Sequence, residues 1–305
     1  MKSINVSNGT LQVSEISLGC MRIAGLNEKD ANHFIQTALD EGINFFDHAD
    51  IYAGGQAEEV FSKAIGMNAS VREKMIIQTK CGIRQGFFDF SKEHILASVD
   101  GSLKRLNTDY IDVLLLHRPD TLVEPEEVAE AFDQLYVSGK VRHFGVSNQN
   151  PMQIELLKRY VNQKLIFNQL QLSITNTGMI DAGLNVNMQI DPSINRDGSI
   201  LDYCRLNDIT IQAWSPFQYG FFEGVFLDND KFPELNAKIN EIANAKGVTN
   251  TAIAIAWILR HPAKIQPIVG TTNVERLKDI CKASNVELTR QEWYEIYRAA
   301  GNKLP

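Results

Sequence analysis

No GxGxxG and no GxxxxGK[ST] occurs anywhere in these 305 residues. Neither the glycine-rich turn of an open dinucleotide-binding sheet nor a P-loop is therefore available. Cysteine is scarce: Cys20, Cys81, Cys204 and Cys281 lie far apart, with no CxxC. That spacing excludes a zinc or disulfide framework and fits a reducing cytoplasm. Positive charge is in the minority, 30 Lys and Arg against 37 Asp and Glu for a net charge of −7, with no basic stretch. A protein built to grip nucleic acid usually carries a basic footprint. No apolar run reaches the roughly 18 residues of a membrane span, and the opening MKSINVSNGT has no signal-peptide core. These absences point to a soluble cytoplasmic enzyme with no nucleic-acid or membrane partner.

What is present is alternation. The chain is 44% hydrophobic, enough to bury a large core. Short β-branched runs recur at Glu15–Leu18, Asn44–Asp47, Met75–Lys80, Ile111–His117, Arg142–Val146, Phe167–Leu172, Ile209–Trp214 and Gln266–Gly270. Several, such as IDVLLL, are apolar without alternation, as parallel strands covered on both faces should be. Helical patterns lie between them. Ala31, Phe34, Ile35, Ala38 and Leu39 form one stripe before Gly42, and Ser91 is placed to cap another helix. Pro125 opens a helix running to Gly139, Pro151 opens the next, and Arg290–Ala300 forms a last one. Residues 4–6 and 11–13, around Asn8–Gly9, read as a hairpin. The expected fold is α/β: one (β/α)8 TIM barrel over residues 1–305, with an N-terminal β-hairpin and an extra C-terminal helix. Barrels of this kind commonly run to about 250 residues plus insertions. Residues 176–198 break the rhythm and are expected to leave the top rim as a long loop.

In such a barrel the chemistry sits at the C-terminal ends of the strands. INFFD ends in Asp47, with Tyr52 five residues on in DHADIYAGG; MIIQTK ends in Lys80, and DVLLLHRP carries His117. A free tyrosine has a pKa of about 10, and a nearby ammonium favours its phenolate. An aspartate would keep that lysine charged and in position, and a neutral histidine could orient a carbonyl oxygen beside the phenol. The set makes a proton donor for a carbonyl oxygen. It holds no nucleophile suited to acyl transfer, so the attacker must come from a cofactor, with hydride the natural candidate.

GINFFDHADIYAGGQAEE, IIQTKCG, LLLHRPD, GKVRHFGVSN and AWSPF, in this order, resemble the successive signatures of the aldo/keto reductase family. DHADIY, HRPD and VRHFGVSN are most similar to a bacterial branch of it. The likeness runs from about Ser17 to the final helix. It implies an (α/β)8 barrel that binds NADPH without a Rossmann motif and reduces a small-molecule aldehyde or ketone, as a monomer or weak homodimer. By motif matching, the resemblance puts Asp47, Tyr52, Lys80 and His117 in the catalytic tetrad, with Tyr52 as general acid. It matches Ser147, Asn148 and Gln169 to the nicotinamide carboxamide and Trp214 to the ring stacked on the nicotinamide. Ser215, Phe217 and Gly220 fall along the pyrophosphate, and Thr271, Thr272 and Arg276 around the adenosine 2′-phosphate. Some relatives bind NADPH as sensors with little turnover, which makes a regulatory binder the alternative. A metal-dependent hydrolase using Asp47, His48, Asp50 and His117 lacks the multi-histidine clusters of such sites, so no metal is expected.

Two positions depart from the family pattern. Many relatives place Lys where Gly270 stands, and many have a small residue where this chain has His48. Alternation along the strand turns His48 away from Asp47, so a structural histidine is expected. Arg118, beside His117, could meet an acidic substrate, but a salt bridge to Asp120 or a neighbouring loop is the favoured expectation. Phe87, Phe88, Tyr219, Phe221 and Phe222 could wall an apolar pocket or clamp a cofactor. Cys81 counts as a small core residue.

Overall fold

The structure, a computed structural model, describes residues 1–304. All eight apolar runs become parallel strands of one closed barrel. They are β1 (Ser17–Gly19), β2 (Phe45–Asp47), β3 (Ile76–Cys81), β4 (Ile111–Leu116), β5 (Val141–Ser147), β6 (Leu165–Gln171), β7 (Thr210–Trp214) and β8 (Gln266–Val269). Each pairs with its neighbours in sequence, and β8 closes on β1, leaving no edge to protect. β4 is buried along its whole length because helices cover its outer face and side chains fill the barrel within.

The inside of the barrel is layered. Residues 3–6 and 11–14 form the expected hairpin, turning through Asn8 and Gly9 at positive φ. Its Val6 and Val13 plug the bottom, packing with Phe45, Val113, Leu115, Ile166 and Phe167. One step higher the interior turns polar. Asp47 stands opposite Gln78, Gln169 opposite Gln212, and Gln212 opposite Gln266. Strand alternation sends Phe45 and Asp47 inward, while Phe46 and the ring of His48 meet Phe61 of the helix Gln56–Ala64 outside.

The helices follow their caps. Asn27 caps Glu28–Asp40, Ser91 caps Lys92–Leu106, and Pro125 and Pro151 open Pro125–Val137 and Pro151–Lys158. Two helices, Pro233–Lys246 and Asn250–Leu259, separate β7 from β8. The second is NTAIAIAWIL, buried continuously from Ala252 to Ile258, so no polar face marks it in the sequence. The terminal helix Arg290–Ala299 docks on it. Trp293 stacks on Trp257 at 4.7 Å, and each indole N–H donates to the other residue's carbonyl at 3.0–3.1 Å.

The stretch 176–198 differs from the expected open loop. It contains a helix, Gly178–Leu184, and a short turn at Asp191–Ser193. Asp181 on that helix accepts the Tyr297 hydroxyl at 2.6 Å, so the segment is docked on the C-terminal helix. At seven residues the helix is too short for a periodic stripe to register. Among the described residues no helix is long and apolar enough to cross a membrane.

Candidate active site

After β2 the backbone stays beside β3: His48 N–H donates to Gln78 O at 2.8 Å and Asp50 N–H to Lys80 O at 3.1 Å. It then turns through Tyr52–Gly55, with Gly55 at φ 93° where a Cβ would meet the Arg105 side chain at 2.8 Å. This turn swings Tyr52 back over the barrel mouth. Lys80 Nζ donates to Asp47 Oδ2 at 2.8 Å, to the His48 carbonyl at 2.7 Å and to Tyr52 OH at 3.1 Å. The ammonium therefore has three oxygen partners in a dry environment, which fixes the position of the phenol. The ring of His117, from the end of β4, lies 6.0 Å from that of Tyr52.

Charge states follow from this packing. Burial alone would push the Lys80 pKa down, but the Asp47 carboxylate and the Tyr52 oxygen push it up and win, so Lys80 is an ammonium. Burial raises the Tyr52 pKa; Lys80 opposes that, and the net direction is upward. The phenol thus keeps its proton at neutral pH, contrary to a simple reading in which lysine lowers it. The nearby Lys80 ammonium favours the phenolate over the phenol without outweighing burial. Burial, then Lys80 and Arg118, hold His117 well below its ordinary value, so its ring is neutral. No protein group hydrogen-bonds its Nδ1.

Beneath this group runs a row of glutamines. Gln78 and Gln169 each donate Nε2 to Asp47 Oδ1, at 2.6 and 3.0 Å, and to Gln212 Oε1, at 2.9 and 3.1 Å. Gln212 donates to Gln266 Oε1 at 2.9 Å, and Gln266 donates to the Ser14 carbonyl at 2.7 Å. Asp47 is thereby held by an ammonium and two amides. Sequence reading singled out Gln169 and missed Gln78, Gln212 and Gln266. The available signal was a glutamine two places before Lys80 in IIQTK, on the same inward face.

A cleft of about 820 Å³ opens above. It is lined by Asp47, Tyr52, His117, Ser147, Asn148, Gln169, Trp214, Ser215, Phe217, Thr271 and Arg276 of the expected site. Ser147, Asn148, Gln169 and Trp214 form one bonded group. Trp214 Nε1 donates to Asn148 Oδ1 at 3.1 Å, Asn148 Nδ2 to Ser147 Oγ at 2.7 Å, and Ser147 Oγ to the Gln169 carbonyl at 3.1 Å. Lys80 is buried beneath the cleft, and Gly220 and Thr272 do not line it. Gly220 lies at a turn with φ 58°, where a Cβ would strike the Glu223 side chain at 2.4 Å, and its carbonyl accepts Gln171 Nε2 at 2.7 Å. Arg276 stands in the exposed first turn of Val274–Cys281, which Asn273 caps. Cleft residues that the sequence did not mark include Met21, Arg22, Ile51, Ile83 and Asp228. Of the aromatics, Phe222 lines the cleft and stacks with Trp214 at 5.9 Å, while Phe87 and Phe88 are exposed.

His48 is structural in position. Its ring is fully buried, 4.6 Å from Phe61, with neither nitrogen bonded. Among the described residues no three His, Cys, Asp or Glu side chains gather as a metal site would need. Cys81 is buried and burial pushes its thiol pKa well up, the state of an unreactive core thiol. The expected Arg118–Asp120 salt bridge is not formed. Asp120 instead caps backbone, accepting Phe90 N–H at 3.0 Å and Leu122 N–H at 2.9 Å.

Asp47, Lys80 and Tyr52 thus form one buried, hydrogen-bonded group at the mouth of a closed parallel barrel. The chain belongs to the aldo/keto reductase family of oxidoreductases, whose profile matches residues 15–300. It is 36% identical to a 6-dehydroglucose reductase of Agrobacterium fabrum, over 96% of each chain. It is 35% identical to the oxidoreductase YdhF of Escherichia coli, over 88% of this chain and 86% of that one. Among solved structures, the thermostable aldo-keto reductase Tm1743 with the inhibitor epalrestat superposes with a TM-score of 0.80 at 26% identity, covering 98% of this chain and 100% of that one.

Proposed function

We propose that this protein is an NADPH-dependent reductase of aldehydes or ketones, with Tyr52 as general acid and Asp47, Lys80 and His117 as its supporting groups. The observation that carries the reading is the Lys80 ammonium bonded at once to Asp47 and to the Tyr52 hydroxyl, at the floor of a cleft. Bound there, the dinucleotide supplies a hydride to the carbonyl carbon. Tyr52 gives its proton to the carbonyl oxygen as negative charge develops on it. Lys80 stabilises the phenolate left behind, and a proton from solvent restores the phenol. Neutral His117 is a hydrogen-bonding group for the same oxygen.

The donor set fits a nicotinamide carboxamide. Both Nε2 protons of Gln169 are engaged by Asp47 and Gln212, which leaves its Oε1 to accept from an amide NH2. Asn148 Nδ2 has one bond, to Ser147, and a second proton for the amide oxygen. Trp214 offers a flat ring in the same cleft. Arg276 with Thr271 at the other end suits a phosphate dianion, which favours NADPH over NADH. Small-molecule carbonyl substrates, a cytoplasmic setting and a monomer or weak homodimer complete the reading.

The Tyr52→Phe variant tests it. NADPH oxidation with a panel of aldehydes, including hydroxylated ones of sugar size, should fall by about 10²-fold or more. NADPH affinity, read from the quenching of protein fluorescence, should stay near wild type. Wild-type turnover in the variant rejects Tyr52 as the acid. NADPH binding without oxidation across the whole panel would instead mark a sensor.

A further inference from the structure

Arg118 follows His117 and lines the same end of the cleft as Tyr52 and Trp214. Its guanidinium carbon lies 5.5 Å from the centroid of the Trp214 ring. The other arginines withdrawn from solvent have a carboxylate: buried Arg72 has Asp112 at 2.5 Å and partly buried Arg105 has Glu58 at 2.7 Å. Arg118 has none among the described residues. Asp120 is turned onto backbone N–H groups, and Tyr52, which would favour the Arg118 charge as a phenolate, is neutral at rest. Asp47 is engaged by Lys80 and two glutamines, and Asp228 accepts the Asn250 amide. Met21, Ile51, Ile83 and Phe222 line the cleft as apolar groups.

A cation that is partly desolvated and lacks a counter-charge is costly until an anion reaches it. A guanidinium lying over a ring still has N–H donors for planar recognition. We propose that Arg118 receives a carboxylate carried by the substrate, so that the preferred substrates are oxo acids and acid semialdehydes. The proposal rests on the reductase reading. The carbonyl carbon takes the hydride, its oxygen takes the Tyr52 proton, and the carboxylate passes through unchanged. The product is a hydroxy acid of the same charge, with the dinucleotide oxidised. One guanidinium fork matches the two oxygens of a carboxylate.

The experiment compares 4-carboxybenzaldehyde with the neutral 4-carbamoylbenzaldehyde in wild type, Arg118→Met and Arg118→Lys. The ratio of their kcat/KM values should favour the acid in wild type and fall about tenfold or more in Arg118→Met, mainly through KM for the acid. Arg118→Lys should fall in between, and added salt should lower the wild-type ratio. An equal ratio in wild type and Arg118→Met overturns the proposal. So does an equal loss on both aldehydes, which would make Arg118 a general hydrogen-bond donor. If neither aldehyde is reduced, the reductase reading fails, and calorimetric binding of benzoate against benzamide decides the inference separately. Benzoate should bind wild type more tightly than Arg118→Met, with benzamide indifferent; indifference of both overturns it. Unfolding midpoints establish that each variant is folded.

Discussion

Lys80 does two jobs that depend on one another. Its ammonium anchors Asp47 and makes loss of the Tyr52 proton less costly, and its buried charge is acceptable because Asp47, Tyr52 and the His48 carbonyl surround it. At the far end of the cleft a single position has the opposite character. A Cβ built on Gly270 meets nothing within 4 Å, and its φ lies outside the left-handed range, so a side chain there is not strained. Gly270 lines the cleft together with Thr271 and Arg276. Gly270→Lys should therefore fold normally and add a cation beside Arg276 and Arg22, whose guanidinium donates to the Gly270 carbonyl at 3.2 Å. Its preference for NADPH over NADH should rise by about three- to tenfold, as one partly screened charge–phosphate contact supplies. Fluorescence titration with both dinucleotides measures this. An unchanged ratio would put the 2′-phosphate away from residues 270–276.

At the scale of elements, the strands do more than carry polar groups at their ends. β6, β7 and β8 each contribute one glutamine in register, β3 adds Gln78 from across the barrel, and the bonding direction fixes the amide of Gln169 with its nitrogen toward Asp47. Gln212 is the hinge of that row. Gln212→Leu would leave two buried amide donors short of an acceptor and Gln266 Oε1 without its donor. At about 1–3 kcal/mol for each unsatisfied group, partly relieved by relaxation, the expected loss is about 2–5 kcal/mol. Urea unfolding should report it as a lower midpoint, and NADPH affinity should fall because the Gln169 amide is free to turn. A variant of full stability would mean that the row carries no weight. The same elements show what a sequence can and cannot reveal. Strand ends were legible because Asp47, Lys80 and His117 interrupt apolar runs at equivalent points. The glutamine row was not, since its members pair across strands up to 134 residues apart. The helix Asn250–Leu259 was equally hidden, being apolar on every face. Arg118 was misread because a nearby acid in sequence, Asp120, had already turned to cap the backbone.

At the scale of the whole molecule, several ionisable groups are held in the state that burial prefers, and this sets how stability responds to acid. Burial, aided by Lys80, lowers the His48 pKa from 6.5 to about 3, and burial, aided by Arg205, lowers that of His261 to about 4. Between those values and 6.5 the unfolded chain binds protons that the folded chain refuses. Stability is therefore complete above pH 6.5 and is lost as pH falls, by up to about 1.4 kcal/mol per pH unit for each such group. Asp50 acts in the opposite sense. Burial, then Glu58, raises its pKa from 3.8 to about 6, so its contribution is complete below 3.8 and is lost as pH rises through 6. Asp50 offsets one histidine below pH 6, and with His117 also held neutral the balance still falls toward acid. His48 offers a clean test because its side chain makes no hydrogen bond that a substitution could remove. Leucine is close to it in volume and leaves the backbone carbonyl for Lys80. His48→Leu should match or exceed the wild-type melting temperature at pH 7.5, since an unsatisfied buried group disappears. Between pH 6.5 and 5 its melting temperature should fall less steeply than that of wild type. Parallel curves for the two proteins across that range would show that His48 takes up no proton on unfolding, and would move the acid sensitivity to His117 and His261.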